Sequence, residues 1–147
     1  MSNDNNKFTA IGNYIYLGSF EPAFNQDDEF QKLGINVVIN CGHKIRYPEQ
    51  KYPFILENYP IADGDSVIML ENMDTVIEKI HHYLLQKKKI YLHCIDGVSV
   101  SPAILTYYLM VHKKYSYDQA YKLIQKLRPL VDIHCEFTNQ LRVIEEN

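Results

Sequence analysis

Apolar and polar positions alternate or repeat along the chain in a way that separates strands from helices. Four short runs rich in β-branched and aromatic residues, at 14–17, 36–41, 53–56 and 89–93, predict strands, with Gly18, Gly42 and Pro60 as punctuation. Between the third and fourth runs, Met73, Val76, Ile77, Ile80, Tyr83 and Leu84 recur at helical spacing, with Glu71, Glu78, Lys79 and Gln86 on the opposite side. From Ser101 to His112 the residues are apolar almost all round, which predicts a helix packed on most of its sides. Ser116 and Gln119 form a capping-box pattern ahead of a stripe of Ala120, Leu123, Ile124 and Leu127, and Pro129 stops that helix. A last helix carries Phe137, Leu141 and Ile144.

Strands alternating with helices predict an α/β fold with a central, mostly parallel sheet flanked by helices and joined by right-handed crossovers. Ligands in such sheets sit beyond the carboxyl ends of the strands. With 147 residues, 46% of them hydrophobic and 22% charged, the chain can bury one core, so one domain is expected over residues 8–147 behind a polar, disordered tail at 1–7. A formal net charge of −3 supplies no global field for nucleic acid or an anionic membrane, so any anion site must be built locally. Three cysteines are too few for a secreted disulfide framework, and no apolar run reaches membrane-spanning length. The expectation is a soluble cytoplasmic protein, without membrane insertion or nucleic-acid binding.

The turn after the fourth strand holds the chemistry. His93-Cys94-Ile95-Asp96-Gly97-Val98-Ser99 leads straight into the central helix. A strand, a glycine-containing turn and a helix N-terminus present backbone N–H groups to one spot, a cradle that suits a phosphate. Cys94 lies at its mouth, where the same dipoles suit a thiolate. Packing as a small buried residue is the other reading of an isolated cysteine, and spacing alone leaves the two nearly even.

The segment from His93 to Ala103 resembles the phosphate-binding loop of the dual-specificity protein phosphatases. Tyr14-Ile15-Tyr16-Leu17-Gly18 resembles that family's opening strand, Leu33-Gly34-Ile35-Asn36-Val37-Val38-Ile39-Asn40 its second strand, and Tyr59-Pro60-Ile61-Ala62-Asp63 its general-acid segment. Tyr107-Tyr108-Leu109-Met110, Arg128-Pro129, and Phe137 with Gln140-Leu141 fall where the family has its C-terminal helices. The resemblance implies that Cys94 is the nucleophile, that His93 orients the loop, that Asp63 protonates the leaving oxygen with Asp65 as a rival, and that Ser101 assists departure of the thiolate. It further implies that the N–H groups of Ile95, Asp96, Gly97, Val98, Ser99 and Val100 hold the phosphate oxygens; family members tolerate an acidic residue at the position of Asp96, where the side chain points away from the cradle, so Asp96 argues neither for nor against anion binding. Cys41, which ends the second strand, reads as a buried apolar residue, although in tensin-type relatives a cysteine near this place can form a disulfide with the nucleophile.

One position departs from the family pattern. The family loop ends in arginine at the sixth residue after its cysteine, and here that residue is Val100. A guanidinium forks onto two phosphate oxygens and supplies positive charge; valine does neither. Losing an oxyanion donor typically costs about 10²–10³ in rate, and losing an arginine from a phosphoryl transition state about 10³–10⁵. The candidates to replace the charge are Lys44 and Arg46, in the Gly42-His43-Lys44-Ile45-Arg46 segment after the second strand, and Arg128. The expected function is therefore that of a pseudophosphatase with little or no activity that binds a phosphorylated protein or peptide in a regulatory role; the alternative is an active tyrosine/serine/threonine phosphatase with a substitute cation. A homodimer is a further expectation. His134-Cys135 repeats the dipeptide at 93–94, but no second closely spaced ligand pair accompanies it, so neither metal nor other cofactor is expected.

Overall fold

In the computed structural model, residues 7–61 and 66–146 are described, with side chains described outside 62–69. Eleven elements follow one another as β1 (Phe8–Ala10), β2 (Ile15–Gly18), α1 (Glu21–Asn25), α2 (Asp28–Lys32), β3 (Val37–Gly42), β4 (Ile55–Ile61), α3 (Ser66–Leu85), β5 (Ile90–His93), α4 (Val100–His112), α5 (Tyr117–Leu127) and α6 (Cys135–Glu146). The sheet runs β1-β2-β5-β3-β4. β1 is antiparallel to β2, and the other three pairings are parallel, as the alternation of strands and helices predicts.

Strand alternation sorts side chains to the two faces. Ile15, Leu17, Val37, Ile39, Cys41, Ile90 and Leu92 face the layer formed by α3 to α6, where Met73, Ile80, Ile104, Leu105, Ile124, Phe137 and Leu141 complete the larger core. Val38 and Tyr91 point the other way, against Ala23, Phe30, Ile35 and Phe54. β3 is buried along its whole length and α4 along most of its own, which explains why neither shows a polar face in sequence.

Two differences from the sequence-based expectation have local causes. α1 and α2 are five residues each, too short for a periodic stripe, and their signals are Pro22 in the first turn and Asp27, whose side chain accepts the Phe30 N–H at 2.9 Å. β4 continues to Ile61 although Pro60 reads as a stop, because β4 is the edge strand and tolerates a residue without an N–H. Lys7, counted in the polar tail by sequence, accepts the Ser19 N–H on its carbonyl at 2.8 Å.

The register collects the carboxyl ends of the four parallel strands on one edge. Gly18 pairs with His93, His93 with Asn40, and Gly42 with Ile61. The loop leaving β5 lies in the middle of that edge.

Candidate active site

Cys94 is buried, and its sulfur lies 3.1 Å from the Ser101 hydroxyl while accepting the Ser101 N–H at 3.4 Å. Both partners come from the first turn of α4, so the helix start fixes where the sulfur points. The preceding His93 is fully buried, with Nδ1 2.7 Å from the Cys94 carbonyl and Nε2 2.8 Å from the Tyr47 hydroxyl. A carbonyl only accepts, so Nδ1 carries the proton and Nε2 accepts from Tyr47. Burial lowers the His93 pKa to about 4, against a smaller opposing effect of the Cys94 backbone bond. His93 is thus a neutral ring tied to the Cys94 carbonyl and to Tyr47. Tyr47 stays protonated, its pKa raised by burial and then by Tyr52.

The shape of the loop is imposed from outside it. The Phe20 N–H donates to the Ile95 carbonyl at 3.1 Å, Arg128 Nη2 to the Asp96 carbonyl at 3.1 Å, Arg128 Nε to the Gly97 carbonyl at 3.0 Å and the Asp132 N–H to the Val98 carbonyl at 2.8 Å. In a trans peptide the C=O of one residue and the N–H of the next point in opposite directions. Pulling four successive carbonyls outward therefore turns the N–H groups of Asp96, Gly97, Val98 and Ser99 inward. Gly97 has φ +72°, and a Cβ there would lie 2.7 Å from the Gly18 carbonyl carbon and 2.8 Å from Arg128 Nη2, so the turn requires glycine.

Ser99 precedes α4 but does not cap it; its hydroxyl accepts the His134 N–H at 2.9 Å. Among the described residues, the N–H groups of Ile95, Asp96, Gly97, Ser99 and Val100 donate to no acceptor. The Val98 N–H goes to Asp96 Oδ1 at 3.1 Å. Asp96 is among the residues that line the cavity over the loop, and its carboxylate holds that one backbone donor.

That cavity, about 190 Å³, is lined by Cys41, Gly42, His43, Ile61, Cys94, Ile95, Asp96, Ser99 and Val100. Val100 forms wall where the family carries its arginine. Cys41 is fully buried, and burial, then the neighbouring Cys94, pushes its thiol pKa up. Of the three candidate cations, Lys44 is exposed and does not line the cavity, and Arg46 lines a neighbouring hollow of about 320 Å³ with Asn40, Tyr47 and Asn58. Arg128 is fully buried beneath the loop, where it bonds the two carbonyls and, through Nη1, the Thr9 hydroxyl at 3.1 Å. Asp63 and Asp65 lie outside the described residues; Ile61, from which their segment departs, is on the cavity wall.

His43 was not singled out by sequence and stands on the cavity wall. A usable signal existed: it follows the glycine that ends β3, the strand beside β5, at the carboxyl edge where such sheets bind ligands. Among the described residues no group of three or more His, Cys, Asp or Glu side chains could hold a metal ion, and no helix is long and apolar enough to cross a membrane.

The family model for the dual specificity phosphatase catalytic domain matches residues 15–147. Human dual specificity protein phosphatase 8 is 31% identical over 143 residues, covering 95% of this chain and 22% of its own length. The Drosophila melanogaster protein phosphatase Slingshot is 28% identical over 135 residues, covering 90% of this chain and 12% of its own. The chain thus spans less than a quarter of the length of these two relatives. Among solved structures, a leucine rich repeat and phosphatase domain containing protein from Entamoeba histolytica superposes with a TM-score of 0.80 at 26% identity, over 95% of this chain and 91% of that one. The human tyrosine phosphatase-like serine/threonine/tyrosine-interacting protein superposes with a TM-score of 0.83 at 23% identity over 97% of each chain, a likeness of fold.

Proposed function

The chain belongs to the dual specificity phosphatase family, and on that premise we propose that it is a pseudophosphatase: a member that captures phosphorylated groups on proteins or peptides, turns them over slowly or not at all, and acts as an intracellular regulator. The observation that carries this reading is Val100 on the cavity wall beside an otherwise formed cradle. Carbonyls pulled outward leave inward N–H groups for phosphate oxygens, and the helix start adds its dipole. Binding draws on those donors, whereas turnover also needs charge on the equatorial oxygens in the transition state, which valine cannot supply.

A second reading, an active phosphatase, is favoured by the Cys94 to Ser101 contact of 3.1 Å. Here Cys94 attacks phosphorus, Asp63 or Asp65 protonates the leaving oxygen, and Ser101 donates to the sulfur as water releases phosphate.

Turnover of a small aryl phosphate decides between them. The pseudophosphatase reading expects activity at or near background for the wild type and for Cys94→Ser, and a rise of about 10³-fold for Val100→Arg. Wild-type turnover that reaches ordinary phosphatase rates and disappears in Cys94→Ser would establish the second reading. Binding of a phosphotyrosine or phosphothreonine peptide to Cys94→Ser, measured by calorimetry, is expected in both.

A further inference from the structure

A dianion entering a cradle of backbone dipoles leaves most of its charge unbalanced. Val100 brings no charge, His93 is neutral, and the Arg128 guanidinium faces the loop carbonyls from below. Among the described residues lining the cavity, His43 alone can carry a positive charge.

Its position is built. The side chain of buried Asn40 closes the turn that holds it: Oδ1 accepts the Gly42 N–H at 3.0 Å and Nδ2 donates to the Ile45 carbonyl at 2.9 Å. The Ile45 N–H returns to the Gly42 carbonyl at 3.2 Å, and Asn40 Nδ2 is also anchored to Asn58 Oδ1 at 3.0 Å. Gly42 itself lies against the nucleophile's backbone; a Cβ there would be 3.3 Å from the Cys94 carbonyl carbon and 2.8 Å from Ile45 Cγ1. The turn therefore holds residue 43 beside the cradle, exposed to solvent and lining both this cavity and the adjoining hollow.

We propose that His43 is the switchable cation of this site, so that a phosphate-class dianion is held when the imidazole is protonated and released as the pH rises. The proposal rests on reading the cradle as an anion site. An imidazole ordinarily changes charge between pH 5 and 8. The titratable groups sharing its surroundings are Cys41 from its own strand and Cys94 and Asp96 from the β5 loop, with Arg46 and Tyr47 in the adjoining hollow.

Inorganic sulfate is the probe, because its charge is constant across the range while that of a phosphate monoester changes near pH 6. Calorimetric titration at pH 5.5 and 8.0 is expected to show about tenfold tighter binding at pH 5.5 for the wild type, the worth of one charge-assisted hydrogen bond. His43→Ala should bind weakly at both values, and His43→Lys tightly at both. Equal wild-type affinity at the two pH values, or an unchanged pH dependence in His43→Ala and His43→Gln of native circular dichroism, would overturn the role of His43 while leaving the anion cradle in place. Absence of sulfate binding to the wild type and His43→Lys alike at 100 mM would overturn both.

Discussion

Arg128 Nε donates to the Gly97 carbonyl at 3.0 Å across 31 residues of sequence, and Nη2 of the same guanidinium takes the Asp96 carbonyl. The one fully buried arginine among the described residues is thus a brace for the turn. Its burial lowers its pKa from the ordinary value, while Tyr91, Cys94 and Asp96 oppose that shift. Replacing it by methionine fills the space but leaves the buried Gly97 carbonyl and the part-buried Asp96 carbonyl without their guanidinium donor. Arg128→Met should cost about 3 kcal/mol in urea unfolding and remove sulfate binding, whereas Arg128→Lys, which keeps the charge and one donor direction, should lose less of both. An Arg128→Met protein with wild-type stability and wild-type sulfate affinity would mean that the loop holds its own shape.

His93 sets an acid limit on the fold. Its pKa falls from an ordinary 6.5 to about 4 in the folded state, so the unfolded chain binds a proton that the native chain refuses. The stabilising contribution is complete above pH 6.5 and is lost as the pH drops toward 4, about 3 kcal/mol in all. Melting temperature measured from pH 7.5 to 4.5 should decline along this interval, and His93→Asn, which keeps an N–H for the Cys94 carbonyl, should flatten the decline. An identical slope in the variant would assign the acid sensitivity to other groups.

Asp96 brings a carboxylate to the loop proposed to hold the anion, with Oδ1 on the Val98 N–H. Asp96→Asn keeps an oxygen for the Val98 N–H and removes the negative charge from the cavity wall. Sulfate should bind several-fold tighter to the variant at pH 7, from relief of like-charge repulsion of about 1 kcal/mol at a partly exposed site. Unchanged affinity would place the carboxylate too far from the ligand to matter.

Sequence carried the fold and the loop further than it carried the site. The periodicity of Met73 to Leu84 and the apolar runs at 36–41 and 89–93 report directly on burial, and burial is what the sheet and helices express. The same logic fails for β1 and for α1 and α2, which are too short to show a period. Arg128 was legible as a basic residue close to the loop; that it bonds carbonyls beneath the loop depends on the C-terminal end of α5 meeting the turn between β5 and α4, which no local pattern encodes. Within the segment after β3, the sequence points to the permanently charged Lys44 and Arg46 as substitute cations ahead of His43. The turn closed by Asn40 reverses that order by holding residue 43 at the cavity and leaving Lys44 and Arg46 off its wall.

The four outward pulls on the loop carry a consequence for how the protein comes into being. Their donors are Phe20, Arg128 and Asp132, with His134 on the Ser99 hydroxyl 35 residues away, so both ends of the chain must be in place before the cradle has a shape. Contacts of such long sequence separation form late in folding. A nascent chain halted before Arg128 would carry Cys94 without a place for an anion, and anion capture would first become possible when the last two helices have docked. Any ligand of the site then stabilises only the finished molecule, by mass action on the native state, and its binding reports on completed folding.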